Sequence, residues 1–563
     1  MRKVLENEFY YLENFHRVLE WIARRYGDLL SDDEQAFIGG FPALPRPSRA
    51  LFVRMVMRKG THFRASKLNY PEIGCPVDAA RHLLPTGWIV DDPVLALDEL
   101  FELLLKPEIC AAFQLAPHEK NARKADQREA LRTRCGDARP FSRWYGDSGD
   151  RVYGILVKPL CDRLRLIFFG NLRQDWTEFV LSDLGVFRFE QVAFSPSSRA
   201  FRTRRDVDDY LALHGCKERF RAGEPLADVL AALPAEPFDN AWLDGRRQKL
   251  MFEVAQHVEK QQDWTGAFAL YARCDYPGAR GRAIRVLEKD GQFGPAHALL
   301  ERARQAPESE AEHQLLLRIG ARLHRKLGLE QQAAQRKPDV ARLDLRLPMP
   351  PAQDAWWVEG VVRDHLAREE APVFYVENTL INALFGLLCW NAIFCPIPGA
   401  FFHPFHRGPA DLMSADFHRR REDQFRACLD QLDQHDQLEG ADARDTASYR
   451  DTIRANYRDK HGIQSPFVSW GALSFELVEM ALACIPAAHL KKWCERILVD
   501  IKSNSSGFPD LIQFWPVERR YNMIEVKGPG DRLQDNQLRW IAYCAAHGMP
   551  VSVCYLQWTE PRA

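Results

Sequence analysis

The sequence predicts a multidomain protein that is mainly α-helical in its N-terminal and middle regions and ends in an α/β domain. The chain has 563 residues, more than a single hydrophobic core usually organises. Apolar residues recur at helical spacing over the first 90 residues and again between about 240 and 335. Near the C-terminal end, two short apolar runs separated by a polar turn have the pattern of paired strands.

The composition is that of a folded protein, with 46% hydrophobic and 27% charged residues. The net charge is -1, so binding to nucleic acid would depend on local basic segments. The 13 cysteines show no zinc-ligand spacing, which favours reduced thiols and a cytoplasmic location. No signal peptide is recognisable, and the apolar run at 380–394 contains Asn382 and Asn391. We therefore expect a buried helix there and no membrane partner.

Residues 1–90 are predicted to form a helical DNA-binding region. The segment 51–70 places basic residues between apolar anchors, namely Arg54, Arg58, Lys59, Arg64 and Lys67. Arg54 and Arg58 are four residues apart and would share one helical face. A solvated basic face without a ligand is the alternative interpretation.

Residues 91–238 are predicted to combine a small helical motif with a β-rich basic segment. The run 98–134 reads as two short helices joined by a basic loop and resembles the SAP DNA-binding motif. Its phosphate-binding candidates are Lys120, Arg123, Lys124 and Arg128. The run 150–215 is rich in β-favouring residues, and Arg199 and Arg202 would add a second basic strip.

Residues 239–340 are predicted to form helical hairpins with the texture of tetratricopeptide repeats. Such hairpins usually act as a scaffold or a docking surface. The Pro-marked segment 337–354 reads as an extended connection, and the last domain is predicted to span 357–563.

A short motif in this last domain contains the residues best suited to catalysis. Pro509–Asp510 opens one apolar run, and a second run contains Glu525 and Lys527. Side chains alternate along a strand, so Glu525 and Lys527 would share one face. Pairing the two strands as a hairpin would bring Asp510 to the same end as Glu525. Two carboxylates beside an ammonium group suit metal-assisted phosphodiester hydrolysis, although a surface ion pair gives the same spacing.

These residues resemble the PD-x(n)-ExK pattern of the PD-(D/E)XK nuclease superfamily, whose fold is restriction-endonuclease-like. The run IEVKGPGDRLQDNQLRWI resembles the VRR-NUC module of that superfamily. The resemblance implies a catalytic set of Asp510, Glu525, Lys527 and Gln537. It also implies Mg²⁺ or Mn²⁺, with two ions expected, and a ligand set of Glu377, Asp510, Glu525 and the backbone carbonyl of Val526.

Two of these assignments have simpler structural alternatives. Glu377 begins the apolar segment 376–394, where an acid in the first turn would stabilise a helix dipole. Gln537 stands at a predicted helix start, where an exposed amide is common. The resemblance favours the active-site roles, because superfamily members commonly supply an acidic ligand from a helix before the strands.

The order of segments resembles the Fanconi-associated nuclease family over nearly the whole chain. The resemblance implies 5′-flap endonuclease and 5′-exonuclease activity on branched DNA in interstrand-crosslink repair. Without zinc-spaced cysteines and histidines, the ubiquitin-binding zinc finger of eukaryotic members is not expected. A bacterial-type, nucleoid-associated member fits best. The alternatives are a junction-resolving or restriction-type endonuclease, a DNA-binding scaffold with an inactive nuclease domain, and an RNA-directed nuclease.

Overall fold

A computed structural model of the protein describes residues 7–330, 340–350, 356–437 and 448–559. The chain divides into two compact units. The first comprises Met1–Arg188, Phe194–Val207 and Phe402–Phe405, and the second comprises Phe189–Ala193, Asp208–Phe401 and His406–Ala563. The predicted domain ends at residues 1 and 563 lie outside the described residues, and the predicted end at residue 340 directly follows a segment that is not described.

The first unit is mainly helical, with short strands between the helices. Its helices are α1 Tyr10–Tyr26, α2 Asp32–Gly40, α3 Arg46–Val56, α4 Pro76–Arg81, α5 Leu97–Leu103, α6 Lys106–Ala112, α7 Pro117–Asn121, α8 Lys124–Arg132, α9 Phe141–Trp144, α10 Lys158–Phe169 and α11 Thr177–Asp183. Its strands are β1 His62–Arg64, β2 Ile89–Asp91, β3 Val94–Leu95, β4 Arg139–Pro140 and β5 Val152–Ile155. Strands β1, β5 and β2 form a small antiparallel sheet in that order.

The SAP-like region contains four short helices, α5 to α8, where the sequence predicted two. Pro107 and Pro117 stand at the starts of α6 and α7, where a missing amide hydrogen has no cost. Glu108 and Glu119 accept hydrogen bonds from the backbone amides just before those helices, at 2.7 and 2.9 Å. These local start signals divide the run into shorter helices than its apolar periodicity suggests.

The prediction of a β-rich segment at 150–215 is wrong for most of that segment. Its only described strand is β5, which is followed by α10 and α11. Pro159 stands in the first turn of α10, and Gly170 ends the helix with a left-handed φ of 65°. Both ends are therefore fixed by helix signals, and the β-favouring side chains of LRLIFF pack as a buried helix face instead.

The second unit contains the helical middle region and the C-terminal sheet. Its helices are α12 Arg204–Arg221, α13 Leu226–Ala232, α14 Ala241–Lys260, α15 Trp264–Tyr271, α16 Ala279–Lys289, α17 Phe293–Gln305, α18 Glu310–Leu327, α19 Val358–Leu366, α20 Leu380–Leu388, α21 Trp390–Ile393, α22 Glu422–Gln437, α23 Tyr449–Asp459, α24 Phe475–Cys484, α25 Ala487–Val499, α26 Ile501–Asn504 and α27 Asp535–Ala546. Its strands are β6 Ala341–Pro348, β7 Val373–Tyr375, β8 Leu511–Trp515, β9 Arg520–Lys527 and β10 Val551–Thr559.

Helices α14 to α18 pack consecutively, each against the next. Asp263 and Ser309 cap α15 and α18 by accepting hydrogen bonds from Gly266 and Glu312 backbone amides. Small buried residues allow close packing between α16 and α17, among them Ala283 and Ala296. The helical middle region predicted from periodicity is present, and its likeness to tetratricopeptide repeats stays a prediction.

The C-terminal sheet has five strands in the order β6-β10-β9-β8-β7. Strands β6, β10 and β9 are mutually parallel, whereas β8 runs antiparallel to both β9 and β7. Apolar side chains from β7, β8, β9, β10 and α19 form one buried cluster, which includes Val373, Leu511, Ile524 and Cys554. The segment predicted as a connection at 337–354 contains β6, so the sheet begins upstream of the predicted boundary at 357.

The apolar run at 380–394 forms α20 and α21, whose side chains are buried with the exception of Asn391. This agrees with the predicted buried helix. Among the described residues, none of the helices combines the length and hydrophobicity that a bilayer crossing requires.

Candidate active site

Asp510 and Glu525 come together through the β8–β9 hairpin. The register pairs Leu511 with Ile524, which places Asp510 beside Glu525 at the next step along the two strands. The backbone amide of Val526 donates a hydrogen bond to Asp510 Oδ2 at 2.8 Å. The predicted hairpin is therefore present, and it brings the two carboxylates to one end of the sheet.

Both carboxyl groups lie in a poorly solvated environment. Glu525 is fully buried and Asp510 is 5% exposed. Burial, helped by the neighbouring Asp510 charge and opposed by Lys527, raises the pKa of Glu525 to about 8. Burial likewise raises the pKa of Asp510 to about 6, with Glu359 and Glu377 adding to the rise. At neutral pH this arrangement favours a protonated Glu525 unless a cation is present.

Lys527 lies on the same strand face as Glu525, as the alternation along β9 predicts. Its Nζ is 2.7 Å from Glu525 Oε1, and the Lys527 side chain is 9% exposed. The other oxygen, Oε2, is buried and has no hydrogen-bond partner among the described residues. The ammonium group thus neutralises only part of a cluster that contains several carboxylates.

Glu377 lies near this cluster but is not in a helix, which corrects the prediction that it stands at the beginning of the helix formed by 376–394. It follows β7 and precedes α20, whose N-cap is Thr379. The Tyr375 hydroxyl donates a hydrogen bond to Glu377 Oε2 at 2.5 Å. Glu377 is exposed, and its charge raises the pKa of both Asp510 and Glu525. Glu377 therefore lies in a turn and acts on the two buried carboxyl groups through its charge.

Asn378 holds that turn against the segment that leads into Asp510. It adopts a left-handed φ of 52°, a conformation that asparagine tolerates better than most residues. Its Oδ1 accepts hydrogen bonds from the Gly507 and Phe508 amides at 2.8 and 3.2 Å. The Val376 amide also donates to the Asp510 carbonyl at 2.8 Å. Asn378 is a positioning residue that sequence reasoning did not identify.

Glu359 is a second residue that sequence reasoning missed. It lies in the first turn of α19, the helix that precedes the antiparallel strands β7, β8 and β9. Its charge raises the pKa of Asp510, more than the charge of Glu377 does. Glu359 thus lies on a helix before these strands, the kind of element predicted to supply an acidic ligand, whereas Glu377 does not. Its signal in the sequence was the acid of WVEGVV, at the start of an amphipathic helix.

Gln537 lies in the first turn of α27, where its side chain caps the helix. Its Oε1 accepts a hydrogen bond from the Gln534 amide at 2.8 Å, as in a capping box. The start of α27 lies against Gly507, where a Cβ atom would approach the Asn536 backbone to 2.8 Å. Farther along α27, Trp540 packs against Phe508 with ring centroids 4.0 Å apart. Gln537 thus lies on a helix packed beside the segment before Asp510.

The turn after Lys527 is closed by Asp531. The Gly528 amide donates to Asp531 Oδ2 at 3.0 Å, and the Asp531 amide donates to the Gly528 carbonyl at 3.1 Å. These bonds define the end of β9, next to the predicted backbone ligand at Val526.

The chemistry of the cluster fits a hard divalent cation. Asp510, Glu525, Glu377 and Glu359 supply carboxylate oxygens, the donors that Mg²⁺ and Mn²⁺ prefer. Glu525 Oε2 supports this fit, because it is buried and has no hydrogen-bond partner among the described residues. An ionised carboxylate in that position is costly unless a positive charge accompanies it.

The predicted DNA-binding residues differ in how available they are. Arg58, Lys59, Arg64 and Lys67 line one pocket of about 280 Å³ in the first unit. Arg58, Lys59 and Lys67 are exposed. Arg64 is 8% exposed and pairs with Glu108 and Asp150 at 2.7 and 2.8 Å. Its guanidinium therefore acts as a buried link between two carboxylates in this arrangement.

The remaining basic candidates also divide into exposed and engaged side chains. Lys120, Arg123 and Arg202 are exposed. Four others have protein partners: Arg54 pairs with Glu72 at 2.7 Å, Lys124 donates to the Leu104 carbonyl at 2.7 Å, Arg128 lies 3.6 Å from Asp98, and Arg199 pairs with Asp28 at 2.9 Å. The exposed residues are the better candidates for phosphate contacts.

Three family models match successive parts of the chain. Residues 9–90 match "FAN1, HTH domain", residues 94–144 match "Fanconi anemia-associated nuclease SAP domain", and residues 444–558 match "VRR-NUC domain". The SAP and VRR-NUC resemblances read from the sequence are confirmed. The helix-turn-helix domain was predicted only as a helical DNA-binding region.

Full-length relatives agree with these matches. The chain is 54% identical to a Fanconi-associated nuclease 1 homolog of Pseudomonas aeruginosa, over 98% of this chain and 97% of the relative. It is 24% identical to a homolog from Arabidopsis thaliana and 22% identical to human Fanconi-associated nuclease 1. Those matches cover 97% of this chain but only 66% and 62% of the plant and human proteins.

The fold is similar to solved structures along nearly its whole length. A crystal structure of paFAN1 bound to 2-nucleotide 5′-flap DNA with a gap superposes with a TM-score of 0.93, at 54% identity and 99% coverage of both chains. A second, with a 1-nucleotide 5′ flap and a gap, gives a TM-score of 0.90, at 54% identity and over 98% of this chain and 100% of that one. A VRR-NUC domain implies dependence on divalent metal. The chain belongs to the Fanconi-associated nuclease family and is a DNA nuclease.

Proposed function

We propose that this nuclease cuts DNA at 5′ flaps, and that it acts as a 5′ exonuclease in interstrand-crosslink repair. The observation that carries the catalytic part is the pairing of buried Asp510 with buried Glu525, whose Oε2 has no hydrogen-bond partner among the described residues. The flap preference is supported by the 5′-flap DNA bound to the similar solved structures. A DNA substrate also supports the proposal of a cytoplasmic location, at the nucleoid in a bacterial cell.

We propose a metal site with Asp510, Glu525 and Glu377 as carboxylate ligands and the Val526 carbonyl as a backbone ligand. Glu359 joins this set because it lies in the first turn of α19 and its charge raises the pKa of Asp510. Mg²⁺ or Mn²⁺ fits these oxygen donors, and four carboxylates suffice for two ions. When bound, such ions polarise the phosphate and acidify a water molecule.

The protein groups around the scissile phosphate have separate tasks in this proposal. Lys527, held 2.7 Å from Glu525 Oε1, orients the attacking water and offsets charge that develops on the phosphate. Asp510 is kept in place by the Val526 amide. Gln537 uses its carbonyl oxygen to cap α27, and its amide nitrogen is the donor available for a phosphate oxygen.

DNA binding is proposed for the exposed basic residues of the first unit. Arg58, Lys59 and Lys67 share one pocket, and Lys120, Arg123 and Arg202 are also exposed. Such side chains contact phosphates without reading sequence, which suits a nuclease that selects structure.

The test is cleavage of end-labelled 5′-flap and 3′-flap duplexes in Mg²⁺ and in Mn²⁺. We expect cuts near the 5′-flap junction that are lost in Asp510→Asn and Glu525→Gln, while DNA binding persists. Glu518→Gln is the matched control, because Glu518 is an exposed acid on the turn of the same hairpin. Full activity of a folded Asp510→Asn protein would refute the proposed site.

The same substrates separate the remaining alternatives. Symmetric cuts on a four-way junction with weak flap cleavage would favour a junction-resolving enzyme. Preferential cleavage of an RNA flap would favour an RNA-directed nuclease. Equal cleavage of 5′ and 3′ flaps would refute the polarity while leaving the metal site intact.

A further inference from the structure

Two helices of the middle region present a second cluster of metal-ligating side chains. His297 and Glu301 lie on α17, and His324 lies on α18. One potential ligand atom from each residue lies within 4.8 Å of the others. The cluster contains imidazole nitrogens and one carboxylate, so its chemistry differs from the carboxylate-rich active site.

The distances fit a shared ion. His297 Nε2 lies 3.3 Å from His324 Nε2 and 3.8 Å from Glu301 Oε1. Two nitrogens that bind one tetrahedral zinc at about 2.0–2.1 Å are separated by about 3.3–3.4 Å. His297 and Glu301 are four residues apart, so they project from the same face of α17. The two helices therefore already hold three donors near ligand-to-ligand spacing.

The orientation of His324 gives independent support. Its Nδ1 lies 2.7 Å from the Glu330 carbonyl oxygen. A carbonyl can only accept, so Nδ1 carries the hydrogen, and in the neutral ring Nε2 then has a free lone pair. That lone pair faces His297 and Glu301. A backbone carbonyl that fixes the tautomer and ring orientation is the usual outer-shell partner of a metal-binding histidine.

The surroundings leave the cluster reachable from solvent. His324 is 9% exposed, whereas the His297 and Glu301 side chains are 26% and 46% exposed. Arg304 Nη1 donates a hydrogen bond to Glu301 Oε1 at 3.1 Å. Without an ion, a hydrogen bond from His297 to His324 accounts for the contact between the rings but leaves Glu301 outside it.

We propose that His297, Glu301 and His324 bind one divalent transition-metal ion of the zinc class, with water completing a tetrahedral site. Imidazole ligands favour Zn²⁺, Ni²⁺ or Co²⁺ over Mg²⁺. The ion links α17 to α18. Helix α18 also contacts α27 through Arg318–Asp535, at 2.5 Å, and Gln314–Arg539, at 2.8 Å. The ion thus braces the helix that packs against the helix beside the active site.

The experiment uses tag-free, chelator-treated full-length protein that also bears Asp510→Asn and Glu525→Gln, so that the nuclease site does not compete. Zn²⁺ binding is measured by calorimetry, and Co²⁺ is used as a spectroscopic probe of tetrahedral coordination. We expect one high-affinity ion with a tetrahedral Co²⁺ spectrum and a rise in thermal midpoint. His297→Ala and Glu301→Gln each lower Zn²⁺ affinity, His297→Ala by more than about 100-fold, above the range for losing an outer-shell partner.

His313→Ala is the matched control, because His313 is an exposed histidine on the same helix, α18. It should leave Zn²⁺ affinity and the Co²⁺ spectrum unchanged. Equal melting of all variants in chelator shows that they are folded. Absence of Zn²⁺ binding, or binding that His297→Ala leaves intact, overturns the proposal, as would a Co²⁺ spectrum of six-coordinate type.

Discussion

Binding of a divalent ion at the active site should release protons, in an amount that depends strongly on pH. Burial and mutual repulsion raise the pKa of Glu525 to about 8 and that of Asp510 to about 6 in the metal-free protein. A bound cation requires both groups to be ionised. The protons that they hold in the free protein must therefore leave when the ion binds.

The expected amounts follow from these two pKa values. At pH 7 Glu525 is about 90% protonated and Asp510 about 10%, so about one proton is released per binding event. At pH 5 both groups are largely protonated, and about two protons are released. Above pH 9 the release falls to about zero. Apparent metal affinity should accordingly rise about tenfold per pH unit near pH 7 and level off above pH 8.

The assay is calorimetric titration with Mn²⁺ at pH 5, 7 and 9, each in buffers of different ionisation enthalpy. The slope of observed enthalpy against buffer enthalpy gives the number of protons released. A His297→Ala background removes the second cluster from the measurement, and Glu518→Gln should leave the slopes unchanged. Proton release near zero at pH 7, with Mn²⁺ affinity flat from pH 6 to 8, would show that both carboxyls are already ionised without metal.

Three further predictions concern neighbouring groups. Lys527→Met should lower kcat about 100- to 1,000-fold with little change in DNA affinity, because the Lys527 charge acts mainly as the phosphate reacts. Single-turnover kinetics measures the rate and filter binding measures the affinity, and an equal loss of affinity would contradict this role. Asn378→Ala should destabilise the protein by about 1–3 kcal/mol and lower kcat, because two backbone amides in the segment before the catalytic aspartate lose their acceptor. Chemical denaturation measures the loss of stability and steady-state kinetics measures kcat. An unchanged kcat would refute a positioning role. Lys59→Glu and Lys67→Glu should each weaken binding to flap and plain duplex DNA alike and reduce the slope of log affinity against log salt concentration by about one. Arg81→Glu, at an exposed residue elsewhere in the first unit, is the control. An unchanged slope would show that DNA does not contact the pocket that contains Lys59 and Lys67.

The catalytic hairpin could be predicted from the sequence because its determinants are local. Asp510 and Glu525 lie within one strand–turn–strand unit, and the two-residue periodicity of β9 places Lys527 beside Glu525. The same reasoning could not find Glu359 or Asn378. They approach the site from α19 and from the turn after β7, more than 130 residues upstream of β8, and no short-range pattern joins them to Asp510.

Other differences arise where local preference and tertiary pairing disagree. Strand β6 has no partner near it in the sequence, so its segment resembled a connection, yet it pairs with β10 along eight residues. Helix α10 contains β-favouring residues, but the signals at its two ends and burial of one face decide its conformation. The His297, Glu301 and His324 side chains form no recognisable motif in the sequence for a similar reason, because they are spread over two helices.

The position of β10 between β6 and β9 has a consequence for biosynthesis. Strand β9, which bears Glu525 and Lys527, has an open edge until residues 551–559 leave the ribosome and insert beside it. Strand β6 lacks the same partner until then, although it is synthesised about 200 residues earlier. Synthesis proceeds at about 5–20 residues per second. The helices of the first unit can therefore fold during synthesis before the five-stranded C-terminal sheet is complete.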